Sequence, residues 1–317
     1  MFQRGETPVA KTSFRWLRLI GILLFIWIVF QINWITVWKL LKEIRPVYVV
    51  GYFVVFFIAV LLKVVRLRWF LYRLGYRVAF RDVYQSVIEP AFYGMVTPAR
   101  IGEFSKVMYL TRFGLSARLA WGVVLMERLV DFSVLLMASV AGVFYFMIFG
   151  VETRGLTLVV FLALVVVLYV CLINIGGLSR LGSRVMGLFP WKHPAYNDLS
   201  SLGEGLARLG RLAASLFFPF SLAILILSFV QLWFLGLALE VSVSGLYLGL
   251  AYASSSLVSL LPLSVGGLGT REAVYIGLLH RQGVSSDMAI TISLLDGLVF
   301  SMMAQLILLI PIAWKRN

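Results

Sequence analysis

The stretch EPAFYGMVTPARIGEFSKVMY, Glu89 to Tyr109, decides the fold. Apolar side chains run through it, yet Glu89, Pro90, Pro98, Arg100, Gly102 and Glu103 fall close together. Proline removes an N–H donor and glycine loosens the backbone, so a break of this kind leaves peptide groups without helical partners. Inside a bilayer such backbone is tolerated only where protein buries it or it lines a wet cavity. Composition says that the surroundings are a bilayer. The 317 residues are 61% hydrophobic and 13% charged, with a mean hydropathy of +0.97, whereas a soluble domain carries about 25% charged residues. The chain is therefore read as an integral membrane protein. Its net charge of +14 comes from Lys and Arg clustered in short loops between apolar runs, where they orient spans and meet anionic lipid headgroups; no nucleic-acid partner is expected. Cys171 stands alone, which excludes an intramolecular disulfide and a multi-cysteine metal cluster.

Working outward from that stretch, six apolar runs are candidates for crossing a bilayer, which takes about twenty residues. They are Trp16 to Trp34, Pro46 to Leu62, Leu119 to Phe149, Leu156 to Ile175, Ala214 to Leu239 and Met288 to Trp314. The first is long enough to span and no small-x-small site follows it, so a cleavable signal is not expected. Lys11, Arg15 and Arg18 precede the first run. Lys63, Arg66, Arg68, Arg73, Arg77 and Arg81 follow the second, Arg180, Arg184, Lys192, Arg208 and Arg211 separate the fourth from the fifth, and Lys315 and Arg316 end the chain. With both termini cytoplasmic, all these groups fall on the positive side; Lys39, Lys42 and Arg45 count against it.

Two segments are left over, Asp82 to Leu110 and Ser244 to His280, each split near its middle by VTPARIGE or LLPLSVGGLGTRE. Each is expected to form a re-entrant hairpin; two ordinary helical hairpins with proline at the turn are the alternative. A shift of 164 positions lays Pro98 on Pro262 and Gly102 on Gly266, and after a five-residue insertion Glu127 lies on Asp296. Each copy then holds two spans, a broken hairpin and a span with an acid in it. Three crossings per copy is an odd number, so the second copy enters from the opposite face, the inverted-repeat plan of many transporters. The expected fold is an all-α polytopic protein of about six spans and two hairpins in one transmembrane domain, 1–317. Its first repeat is about 16–149 and its second about 156–314, with a cytoplasmic loop at about 176–213.

Charges within apolar sequence mark the candidate site. Glu127 and Asp131 share a helix face at a spacing of four, and Arg128 can pair with Asp131. Either these groups form a self-neutralising cluster, or they face a cavity and handle a proton or a cationic headgroup moiety. Arg100 with Glu103, and Arg271 with Glu272, follow the two breaks. An arginine beside free N–H groups makes a bidentate phosphate clamp; the competing reading makes these Arg–Glu pairs pins that hold the hairpins to neighbouring spans. Glu89 in the first hairpin and Asp296 in the last span complete the candidate substrate-binding set, and Pro98, Gly102, Pro262, Gly266, Gly267 and Gly269 form the breaks. Ser254, Ser255, Ser256, Ser259 and Ser264 fit close helix contacts first and a cavity wall second. His193 and His280 lack metal-ligand spacing to other groups, and no phosphate loop or activated serine appears, so no metal, cofactor or enzymatic activity is expected.

TPARIGEFSKVMYL, MERLVDFSVLL and LLPLSVGGLGTREAVYIGLL, in this order and separation, resemble the transmembrane region of lysylphosphatidylglycerol synthases and its free-standing flippase-like relatives, over nearly the whole chain. The resemblance implies a lipid translocase in a prokaryotic cytoplasmic membrane. It points to Pro98, Arg100, Gly102 and Glu103, to Glu127, Arg128 and Asp131, and to Pro262, Gly266, Gly267, Gly269, Arg271 and Glu272. Thr97 and Ala99 stand where many relatives have Asn and the glycine of a PGR stretch, and with the sequence ending at Asn317 no fused synthase domain, and so no aminoacylation of lipid by the chain itself, is expected. The expected function is movement of a charged-headgroup phospholipid or polyprenyl-phosphate-type lipid between leaflets. The partners would be anionic or zwitterionic membrane lipids and a separate lipid-modifying enzyme. A small-solute or ion transporter and a non-catalytic partner of such an enzyme are the alternatives.

Overall fold

The computed structural model describes residues 44–145, 195–259 and 269–313, and every regular element among them is helical. The expected first and fourth spans, and Pro262, Gly266, Gly267 and Ser264 of the second break, lie outside the described residues, as do Cys171 and His193.

Helix α1, Pro46–Arg73, opens on a proline at its first turn, where the missing N–H costs nothing. It does not stop at Leu62 as expected. Lys63 and Arg66 lie inside it, and Arg66 is fully buried, so these two cations do not belong to the cytoplasmic cluster. Along one face Val47, Val50, Val54, Ile58, Leu61 and Val65 repeat at helical spacing and are 39 to 71% exposed. The opposite face buries Tyr52, Val55, Ala59 and Arg66. Apolar outside and partly polar inside is what a bilayer selects, and it inverts the pattern of a soluble helix.

Helix α2, Phe80–Met95, leads into a 3₁₀ segment, Pro98–Ser105, and the chain returns through α3, Lys106–Arg112. Sixteen residues of α-helix reach about 24 Å, short of the roughly 30 Å of a hydrocarbon core. Gly114, just past α3, approaches the Tyr76 ring, just before α2, so this hairpin leaves and returns at one end of α1. Helix α4, Ala117–Phe144, follows, with Ser116 accepting from the Leu119 N–H as its cap.

Helix α5, Ala195–Ala238, starts inside the segment read as a loop, and residues 195–213 form its first turns. It packs antiparallel on α1. Phe70 meets Phe217 with ring centroids 4.2 Å apart at one end; at the other, Gly51 meets Phe234 and the Arg45 N–H donates to the Ala238 carbonyl. The second hairpin comprises α6, Gly245–Ser259, and the returning α7, Thr270–Leu279. Its ends are joined by the Tyr247 hydroxyl donating to Leu278 O at 2.7 Å. Because α1 and α5 are antiparallel, the two hairpins enter from opposite ends of the bundle.

The last crossing is built from α8, Ser286–Leu294, a π turn, Leu295–Phe300, and α9, Ser301–Ala313. Tyr145, beyond α4, packs on Tyr247, and Tyr84 of α2 donates to Leu308 O of α9 at 2.8 Å. Both α4 and the α8–α9 run therefore cross from one end to the other. Among the described residues, Pro46–Arg73, Leu216–Ala238 and Ser286–Ile312 are long and apolar enough to cross a membrane. Helix α4 is equally long at 28 residues but carries Glu127, Arg128 and Asp131.

Candidate functional site

Glu127 and Asp131, one turn apart on α4, would be costly if left unpaired among apolar helices. Arg66 of α1 meets both. Its Nη2 donates to Glu127 Oε1 at 2.5 Å and to Asp131 Oδ2 at 3.1 Å, and its Nη1 donates to Asp131 Oδ1 at 2.6 Å and to Ser221 Oγ of α5 at 2.8 Å. Ser221 in turn donates to Asp131 Oδ1, and Lys106, the first residue of α3, donates to Glu127 Oε2 at 2.8 Å. The planar guanidinium fork makes this possible; an ammonium could not hold two carboxylates and a hydroxyl at fixed angles. Arg128 does not pair with Asp131 as its spacing allows. It turns to Glu103 of the hairpin, and these two form an ion pair.

The second half builds a smaller version. Asp296 sits in the π turn, and such insertions often re-aim a side chain at a functional site. Its Oδ2 accepts from Arg271 Nη2 at 2.7 Å and its Oδ1 from the Tyr52 hydroxyl of α1 at 2.9 Å. Gly297 is what allows this: a Cβ there would lie 2.4 Å from Arg271 Nη1. In both halves a cation on the hairpin's returning helix reaches the acid of the next long helix, Lys106 to Glu127 and Arg271 to Asp296.

At the first tip, the Thr97 hydroxyl donates to Tyr93 O and accepts from the Gly102 N–H, both at 2.8 Å. A Cβ on Gly102 would stand 2.3 Å from Tyr93 O, so only glycine permits this crossing. Arg100 is held at φ 55, a left-handed conformation that a residue with a Cβ adopts only where its surroundings impose it.

Between the tip and the long helices lies a cavity of about 510 Å³. It gathers Arg100, Glu103, Glu127, Arg128, Asp131, Arg271 and Asp296 from the expected set, with Lys63, Arg66 and Lys106 in addition. Leu125, Leu129 and Phe132 line it and are also 43 to 48% exposed on α4, so apolar side chains of that helix border the charged cavity. Glu89 and Glu272 do not line it. Glu89 is buried within the hairpin, accepting from Gln85 and Tyr109. Glu272 accepts from the Gly269 N–H at 2.5 Å and from Ser293 Oγ at 2.8 Å, closing the first turn of α7. Gly269 itself has φ 83. Ser254, Ser255 and Ser259 donate to carbonyls of their own helix, as small residues at a helix contact do, and Ser259 also reaches the cavity wall.

The family model of the lysylphosphatidylglycerol synthase TM region matches residues 16–307. A UPF0104 membrane protein of Methanocaldococcus jannaschii is 23% identical over 280 residues, which covers 82% of this chain and 82% of its own. No solved structure matches the chain.

Proposed function

Because the chain belongs to the lysylphosphatidylglycerol synthase transmembrane-region family, we propose that it is a lipid translocase whose headgroup site is the charged cavity beside the first hairpin. One observation carries the reading: the cavity holds buried charges, yet it is also lined by Leu125, Leu129 and Phe132, half-exposed apolar side chains of α4, and in this proposal that face of α4 meets lipid. A small solute crossing from water to water has no use for a side opening. A lipid needs one, since its headgroup must pass through a polar site while its chains stay in hydrocarbon. Arg100, 46% exposed by its side chain, and Arg128, 28% exposed, stand where a headgroup would first arrive.

In this proposal the two halves form an inverted repeat and the broken hairpins are re-entrant, moving alternately against the long helices. The paired cations and acids Lys106–Glu127 and Arg271–Asp296 are the contacts that each movement breaks and remakes. The hairpin-one end carries the exposed Arg68, Arg73, Arg77, Arg81, Arg112 and Arg118, and the positive-inside rule supports placing that end on the cytoplasmic side in this proposal. The headgroup carries phosphate, and no bond is made or broken during transport.

Leaflet-resolved headgroup labelling in proteoliposomes tests this. Vesicles holding the purified protein should expose an inner-leaflet anionic phospholipid to an external reagent faster than protein-free vesicles, and Glu127→Gln should slow the exposure several-fold because Lys106 and Arg66 lose a charged partner. Exposure at the protein-free rate would sink the reading.

A further inference from the structure

Charge balance within the cavity specifies the headgroup more narrowly. Six cations line it, Lys63, Arg66, Arg100, Lys106, Arg128 and Arg271, against four acids, Glu103, Glu127, Asp131 and Asp296. Each acid is already engaged. Glu127 holds Arg66 and Lys106, Asp131 holds Arg66, Asp296 holds Arg271, and one oxygen of Glu103 holds Arg128. Lys63 has no carboxylate within ion-pair distance among the described residues. Arg100 has only the remaining oxygen of Glu103, at 3.8 Å. Lys63 faces Asp131 together with the like charges of Arg100, Arg66 and Arg128. The excess of two positive charges is thus concentrated at Lys63 and Arg100.

Among the described residues no further carboxylate lines the cavity to cancel it. Residues 260–268 of the second hairpin contain no charged residue, and the apolar runs Trp16 to Trp34 and Leu156 to Ile175 contain no acid. Two uncompensated cations in a partly desolvated cavity cost free energy until a dianion arrives.

We propose, resting on the translocase reading above, that the headgroup is a terminal phosphate, a lipid phosphomonoester or diphosphate, in preference to a phosphodiester or an aminoacylated lipid. A phosphomonoester carries about −1.5 to −2 charges at neutral pH and three acceptor oxygens. The Arg100 fork takes two of these oxygens and the Lys63 ammonium the third, with Ser228 and Tyr252 also lining the cavity. A phosphodiester brings a single negative charge and leaves one cation unmatched. A lysyl headgroup would add positive charge to a cavity that already has too much.

The test uses the full chain in detergent, offered an equimolar mixture of phosphatidic acid, a polyprenyl phosphate, phosphatidylglycerol and lysylphosphatidylglycerol, with retained lipid read by native mass spectrometry. The phosphomonoester lipids should be retained at least about tenfold over phosphatidylglycerol, since one charged hydrogen bond is worth that much. Lys63→Gln and Arg100→Gln should each reduce that ratio by about tenfold, while Lys63→Arg, which keeps the charge, should preserve it. A ratio near one in the wild type, or one unmoved by either glutamine variant, overturns the proposal. So does displacement of the lipid by millimolar inorganic phosphate, which would assign the site to free phosphate. Leaflet labelling with the same lipids separates the two ideas. If phosphatidylglycerol moves as fast as phosphatidic acid, the translocase reading stands and the headgroup assignment falls; if none moves, the translocase reading itself is wrong.

Discussion

Arg66 is the residue on which the buried charges depend. It bonds Glu127, Asp131 and Ser221 together and is 1% exposed. Arg66→Ala leaves Glu127 with Lys106 as its remaining ion-pair partner and Asp131 with none among the described residues, and should cost about 3 to 5 kcal/mol, the usual penalty for breaking a buried pair from one side. Arg66→Lys restores the charge but not the fork and should recover only part of that loss. Thermal unfolding of both variants in detergent checks the order, and equal midpoints would mean that the guanidinium geometry does not matter. This role could not be read from the sequence. A run of basic residues after an apolar run looks like a loop, and Arg66 and its partners lie 61 and 65 positions apart. The usable signal was periodic: Val60, Val64, Leu67 and Leu71 continue the apolar face of α1 straight through the basic residues. The acids, by contrast, were legible, because a carboxylate in an apolar run is conspicuous whatever its partner. Arg128 was assigned the wrong partner because local spacing offered Asp131, while folding offered Glu103.

At the scale of the element, the first hairpin was the easiest part to foresee, since proline and glycine act on their own backbone. What the sequence concealed was how the tip is held. The Thr97 hydroxyl ties Tyr93 O to the Gly102 N–H across the turn. Thr97→Val keeps the shape and removes both bonds, so it should destabilise the tip by about 1 to 3 kcal/mol; Thr97→Ser should behave like the wild type. Gly102→Ala drives a methyl group into Tyr93 O and should reduce lipid movement more than Thr97→Val does. Unfolding midpoints and leaflet labelling of the three variants check this. If Gly102→Ala transports at the wild-type rate, the close crossing of the tip is incidental. Glu272 illustrates the converse: it looked like a ligand and is a helix cap, a role already written in the three-residue separation from Gly269.

For the whole molecule, the antiparallel α1–α5 pair puts the starts of the two hairpins at opposite ends of the bundle. In a chain whose Cys171 is replaced by Ser, cysteines at the exposed Arg77 and Ser286 positions should label from opposite faces of a sealed vesicle; labelling from the same face would refute the arrangement. The two charge networks share α1 but differ in what they need from the rest of the chain. Arg66 and Lys106 neutralise Glu127 and Asp131 entirely within residues 44–145, whereas Asp296 takes a hydrogen bond from Tyr52, nearly the full length of the described chain away. During synthesis, then, the part that leaves the ribosome first can rest in the bilayer with its buried carboxylates already matched, and the part made later inserts its own acid beside a hydroxyl that is waiting for it.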